Sequence, residues 1–343
     1  MTQPKFAWSK KRVLVTGGAG FIGSHLVDRL ITLGSFVRVV DNLSSGKLAN
    51  LQPNLEKTHL EFIKADLREP NIPQQTTKNI DTVIHLAGDH GGRGYIDTHQ
   101  AGPASNFFLD GLVFSAALKA RVEKVVYASS GCVYPKYLQQ NHHQKLFLTE
   151  AQVGPPYDAD NTYGYAKLMG ELVLKTYHQE YGLPAVSCRL FTVYGPRAKE
   201  NHAILGLIAK AFIRQNPFEV WGNGEQIRNW TYVDDIVTGL MLAAEKIDDG
   251  TAINLGTRER IKVLDAALEV LRYTGHQAKI KLLPHMPTGP VNRVASNLLA
   301  KKLLGWQPQV KFVPGLHKTI DWYFSTHNLT QVKKNLAHLL VSR

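Results

Sequence analysis

Five side chains carry the groups that proton transfer requires. Tyr163 and Lys167 are four residues apart in a stretch with helical periodicity, so both leave one face of the helix. A nearby ammonium, joined by a second positive charge, attracts a phenolate and can bring a tyrosine down about three units from ~10, where it serves as a base. Ser130 ends a run of strand residues and can donate to an oxygen that Tyr163 deprotonates. Cys132 follows it closely, and His202 stands ahead of an apolar helix. Thiol and imidazole ordinarily titrate at ~8.5 and ~6.5, a range suited to an acid/base pair. The plain alternatives are a small buried hydrophobe for Cys132 and a loop residue touching phosphate or water for His202.

These residues lie far apart in the chain, so a fold must gather them. Strand-length apolar runs at Val13–Thr16, Val37–Val40, Glu61–Lys64, Thr82–Leu86, Lys124–Ala128 and Ala185–Phe191 alternate with helical stretches at Ile22–Leu33, Asn106–Ala120 and Tyr163–Tyr181. That alternation predicts an α/β protein, a Rossmann-type doubly wound parallel sheet. A smaller α/β domain is expected to be woven into it, with boundaries at 11–196 plus about 229–257 and about 197–228 plus 258–343. Between the first strand and helix, Gly17, Gly20 and Gly23 frame Phe21 and Ile22 at the spacing G-x-x-G-x-x-G. Glycines there allow a tight turn, close approach to a pyrophosphate and close packing of helix on strand. Asp41, at the end of the second strand, can accept from both ribose hydroxyls and would repel a 2′-phosphate, so the expected dinucleotide is NAD. Asp66 is a weaker candidate for the adenine amino group.

The ordered set formed by the glycine turn, Asp41, Ser129 to Tyr134, Tyr163-x-x-x-Lys167, Arg189 to Pro196 and Trp221-Gly222-x-Gly224 with Arg228 resembles the extended short-chain dehydrogenase/reductase family from Lys11 to about residue 325. The resemblance implies that Ser130, Tyr163 and Lys167 form a hydride-transfer triad supported by Asn106. It further implies that Trp221, Arg228 and Arg293 meet a nucleotide-diphosphate sugar, with a homodimer built on helices that include the Tyr163 helix. Within the family, Gly91 to Ile96, which contains Gly92 and Arg93, and the Cys132 segment look most like the GDP-mannose 3,5-epimerases. Cys132 and His202 together resemble the GDP-fucose synthases. The epimerases carry lysine where His202 aligns, and both groups carry asparagine where Thr192 stands. In such enzymes oxidation at C4 acidifies the neighbouring C–H bonds, and Cys132 and His202 would exchange protons at C3 and/or C5. A 4-epimerase, a 3,5-epimerase/reductase and an NAD-sensing binding module are the alternatives. Ser130 is not followed by the Asp-Glu pair that dehydratases use.

Composition narrows the rest. The 343 residues are 44% hydrophobic and 20% charged, which is globular. A net charge of +12 calls for anionic partners, yet no basic run or aromatic-basic repeat points to nucleic acid. Two cysteines make no disulfide framework, and His90, His142 and His143 lack metal-ligand spacing. The first residues are charged without an apolar core, and no apolar stretch is long enough to span a bilayer, so a cytoplasmic protein without a membrane partner is expected. The amphipathic stripe of Leu329–Leu340 is expected to pack on the body of the protein.

Overall fold

The structure, a computed structural model, describes residues 7–342; residues 1–6, where the charged N-terminal segment begins, and residue 343 lie outside the described residues. Seven strands form the central sheet: β1 (Arg12–Thr16), β2 (Phe36–Asp41), β3 (Leu60–Lys64), β4 (Thr82–His85), β5 (Lys124–Ser130), β6 (Ala185–Leu190) and β7 (Asp249–Leu255). Their order is β7-β6-β5-β4-β1-β2-β3, with every pairing parallel. Parallel strands covered on both faces need unbroken apolar runs, and Val13, Leu14 and Val15 of β1 are fully buried. Alternation sends them to opposite sides. Val13 and Val15 join Leu26, Val27 and Leu30 in one core, whereas Leu14 joins Val83, Phe114 and Leu174 in the other. The helices Phe21–Thr32 and Val233–Lys246 pack together, as do Asn106–Ala120 and Asn161–Tyr181.

Beyond β6 the chain makes small pairings. Phe218–Trp221 runs parallel to Ile280–Leu283, and Ile227–Arg228 is flanked by Ile261–Lys262 and Asn292–Arg293. This register sets Arg228 directly beside Arg293. A helix at Phe312–Thr326 follows, in a stretch to which the sequence reading assigned no element. Pro314 falls in the first turn, where its missing N–H costs nothing. Gly315 is needed for contact, since a Cβ there would stand 2.2 Å from the Tyr194 hydroxyl oxygen. The last helix is Leu329–Leu339, with Val332 and Leu336 buried against the main core. Among the described residues no helix is long and apolar enough to cross a membrane.

Candidate active site

All the strands that matter end on one side of the sheet, where parallel α/β proteins open their clefts. Gly17 adopts φ +69°, and a Cβ on Gly23 would lie 2.3 Å from the Gly17 carbonyl oxygen, so the turn and the first helix are in glycine-only contact. Gly20 caps that helix, and neither a side-chain cap nor an acidic residue occupies its first turn. Its N-terminal amides therefore suit an anion. Asp41 accepts from the Ala19 amide at 3.0 Å and the Leu43 amide at 2.8 Å, which holds its carboxylate beside the turn. Gly17, Gly20, Phe21, Asp41, Asp66 and Asn106 line a cavity of about 700 Å³. The Asp66 carboxyl is held well below the usual carboxylate range, first by the Arg68 guanidinium and also by Asn42. A glycine cradle, free helix amides and a ribose-facing acid fit NAD.

A second cavity of about 370 Å³ shares Gly17, Gly20, Phe21, His90 and His202 with the first. Ile22, Gly23, Gly92, Arg93, Trp221, Arg228 and Arg293 line it, and it brings together Ser130 and Cys132 from the end of β5 with Tyr163 and Lys167 from the Asn161–Tyr181 helix. Ser130 hydrogen-bonds the Tyr163 phenol and accepts from the Cys132 amide at 3.1 Å. The Lys167 ammonium sits 4.7 Å from the centre of the Tyr127 ring. Tyr127 donates to Asp110, which pairs with His85 at 2.9 Å, and His85 pairs with Thr16 at 2.7 Å. Asn106 takes the Asp89 amide at 2.6 Å and donates to the Asp89 carbonyl at 2.9 Å, which pins the loop whose Gly88 lies between Asn106 and Lys167.

Two electrostatic expectations change. Burial pushes the Tyr163 phenol up, against the Ser130 hydrogen bond and the pull of Arg293, and burial pushes Lys167 down. The polypeptide by itself therefore keeps Tyr163 protonated. Burial also takes His202 down to about 4, so near neutrality it is a proton acceptor rather than a donor.

The arginines divide unexpectedly. Asp160, a residue the sequence reading missed, receives both terminal nitrogens of Arg93 at 2.8 and 3.0 Å and one from Arg293 at 2.8 Å. Arg93 also binds Asp97 at 2.9 Å, and Arg293 binds Gln139 at 2.7 Å and the Cys132 sulfur at 3.1 Å. Arg228 instead donates to the carbonyls of Ile227 and Thr288, and burial together with Arg293 and Arg93 lowers it to about 9. Lys210, also missed, is lowered to about 8 by burial and lies 5.8 Å from the centre of Trp221. A lone lysine inside Ala203–Phe212, an otherwise apolar helix, was its signal. Gly92 is irreplaceable on contact grounds: a Cβ would lie 1.5 Å from the Asn201 carbonyl oxygen.

A parallel sheet with a glycine turn at its switch point, joined to a Ser-Tyr-Lys cluster, defines an NAD-using enzyme of the short-chain dehydrogenase/reductase type. The chain belongs to the NAD dependent epimerase/dehydratase family, whose model matches residues 13–256. It is 31% identical over 318 residues to GDP-mannose 3,5-epimerase 1 of Oryza sativa subsp. indica, covering 91% of this chain and 82% of that one. An epimerase of Methanothermobacter thermautotrophicus superposes with a TM-score of 0.84 at 31% identity, covering 95% of each chain. UDP-glucose 4-epimerase of Thermotoga maritima, solved with UDP-glucose, superposes with a TM-score of 0.82 at 30% identity, covering 92% of this chain and 99% of that one.

Proposed function

We propose that the enzyme epimerises a nucleotide-diphosphate sugar, a GDP-sugar, at C3 and/or C5 through a transient 4-ketone, and that it works as a cytoplasmic homodimer. The observation that carries this reading is the Cys132 thiol, set beside Ser130 in the same cavity as Tyr163 and His202 and hydrogen-bonded to Arg293. When bound, NAD would supply a reversible hydride acceptor for C4. Tyr163, protonated in the polypeptide alone, would ionise beside the positive nicotinamide and then take the proton of the C4 hydroxyl while Ser130 donates to the same oxygen. Lys167 contributes positive charge that favours the phenolate, and Asn106 orders the neighbouring loop.

Beside the ketone, neutral His202 accepts the carbon-bound proton, and Cys132 returns one to the opposite face. The Arg293 guanidinium, hydrogen-bonded to the Cys132 sulfur, holds it in place. Arg228 and Lys210, which among the described residues donate to backbone carbonyls rather than to carboxylates, suit the diphosphate, while Arg93 and Arg293 shape the sugar end through Asp160. Exposed Phe107, Phe108, Tyr165 and Met169 on the two adjoining long helices support the homodimer.

The test is turnover of GDP- and UDP-sugars in deuterium oxide, read by NMR. The reading predicts carbon-bound deuterium at C3 or C5, with Cys132→Ala losing inversion at the labelled carbon and Tyr163→Phe losing turnover by about 10²- to 10⁴-fold, the span of a general base. Product inverted at C4 without deuterium overturns the reading in favour of a 4-epimerase.

A further inference from the structure

The cavity that holds the glycine turn, Asp41 and Asp66 has a second wall, which none of the family motifs accounts for. Trp322, His327, Asn328, Gln331, Asn335 and Leu339 line it together with the residues of the sheet ends. They come from the end of Phe312–Thr326 and from Leu329–Leu339, beyond the residues matched by the family model. This wall is built in rather than draped. Asn328 caps the last helix by accepting the Gln331 amide at 3.0 Å, and Val332 and Leu336 are buried in the main core. At its start, Glu200 accepts from Tyr323 at 2.8 Å and lies 3.7 Å from His327, which is close enough to Lys47 on the sheet side to feel its charge. At its end, the Ser342 carbonyl accepts from Asn201 at 2.6 Å, and Leu340 reaches the neighbouring cavity that holds Tyr163.

With one edge of Leu329–Leu339 in the core, Gln331 and Asn335 are left exposed on the cleft side, both carrying amides that can donate and accept. We infer that the C-terminal segment 328–342 is a strap that closes the dinucleotide cleft, with Gln331 and Asn335 as additional NAD-binding residues, so that NAD is retained while the sugar exchanges. The strap lines the dinucleotide cavity at Asn328, Gln331, Val332, Asn335 and Leu339 and meets the sugar cavity at its very end, through Leu340 and the Ser342 bond to Asn201, so release of NAD requires the last helix to lift and release of the sugar does not. The inference rests on NAD as the resident cofactor and not on which sugar is epimerised.

The experiment measures NAD itself, without sugar. The purified full-length protein is dialysed, its NAD content is determined by mass spectrometry, and the dissociation rate is followed by exchange with isotope-labelled NAD. Gln331→Ala/Asn335→Ala is expected to raise the dissociation rate at least tenfold and to lower retained NAD, with the helix content of the parent. Asn201→Ala, which frees the Ser342 end, is expected to act in the same direction through the strap's anchorage. Dissociation from the double variant at the parental rate overturns the strap. A parent chain that takes up no NAD overturns this inference and the proposed reaction together, whereas NAD held as expected in a protein that epimerises no sugar overturns only the latter.

Discussion

Asp160 is the residue on which the charge arrangement of the sugar pocket turns. It is 3% exposed and its carboxylate pairs with two guanidinium groups, of which Arg93 has Asp97 as a further partner. Burial alone would raise its pKa, but Arg293 and Arg93 outweigh burial and bring it to about 2. The folded pKa lies below the ordinary value of 3.8, so the folded protein binds fewer protons than the unfolded chain. The contribution of Asp160 to stability is thus complete above that ordinary value and is lost as pH falls through about 2. Asp160→Asn removes the carboxylate, which leaves buried Arg293 without an acidic partner among the described residues and leaves Arg93 with Asp97 alone. It is expected to cost about 3–5 kcal/mol at neutral pH by urea unfolding, the range for breaking a buried pair. The gap between parent and variant should narrow as the titration approaches pH 2. An unchanged gap at all pH values would show that Asp160 stabilises by packing.

Among the elements, the join between residues 90–93 and residues 201–202 deserves a direct test, because it brings Gly92 against Asn201 and His90 to 6.2 Å from His202 between ring centres. Gly92→Ala is expected to push the loop off Asn201 and displace Arg93. The predicted result is a raised KM for the sugar with retained NAD, since Arg93 lines only the sugar cavity and Gly17 and Asp41 are untouched. Lost NAD with an unchanged KM would contradict it. The sheet strands were legible because burial on both faces forces continuous runs such as Val13 to Val15, and the glycine spacing announced the turn because each glycine answers a specific contact. Asn106–Ala120 was readable to the residue as a mostly apolar stretch of helical length. Two-residue strands have no period, however, so nothing in the sequence showed that Arg228 and Arg293 are register neighbours. Asp160 was hidden for a related reason: its partners lie 67 and 133 residues away, and an acid ahead of a helix looks like an ordinary cap. The stripe of Leu329–Leu340 correctly foretold packing on the body, but not what its polar edge would face.

At the scale of the molecule, the two long helices Asn106–Ala120 and Asn161–Tyr181 leave Phe108 67% exposed and Tyr165 46% exposed, with Phe107 and Met169 exposed on the same two helices. Helices that expose aromatic residues in this way are natural seams between copies. Phe108→Lys combined with Met169→Lys is expected to halve the mass in sedimentation equilibrium while leaving the far-UV spectrum unchanged. A parent chain that is already monomeric would remove the homodimer from the proposal. The strap adds a different consequence. If the electron pair taken from one sugar molecule cannot leave before it is handed back, each catalytic cycle is closed to the surrounding pool of oxidised and reduced nicotinamide. The enzyme would then run at the same pace in a starved cell and in a respiring one, governed by sugar supply and indifferent to redox poise.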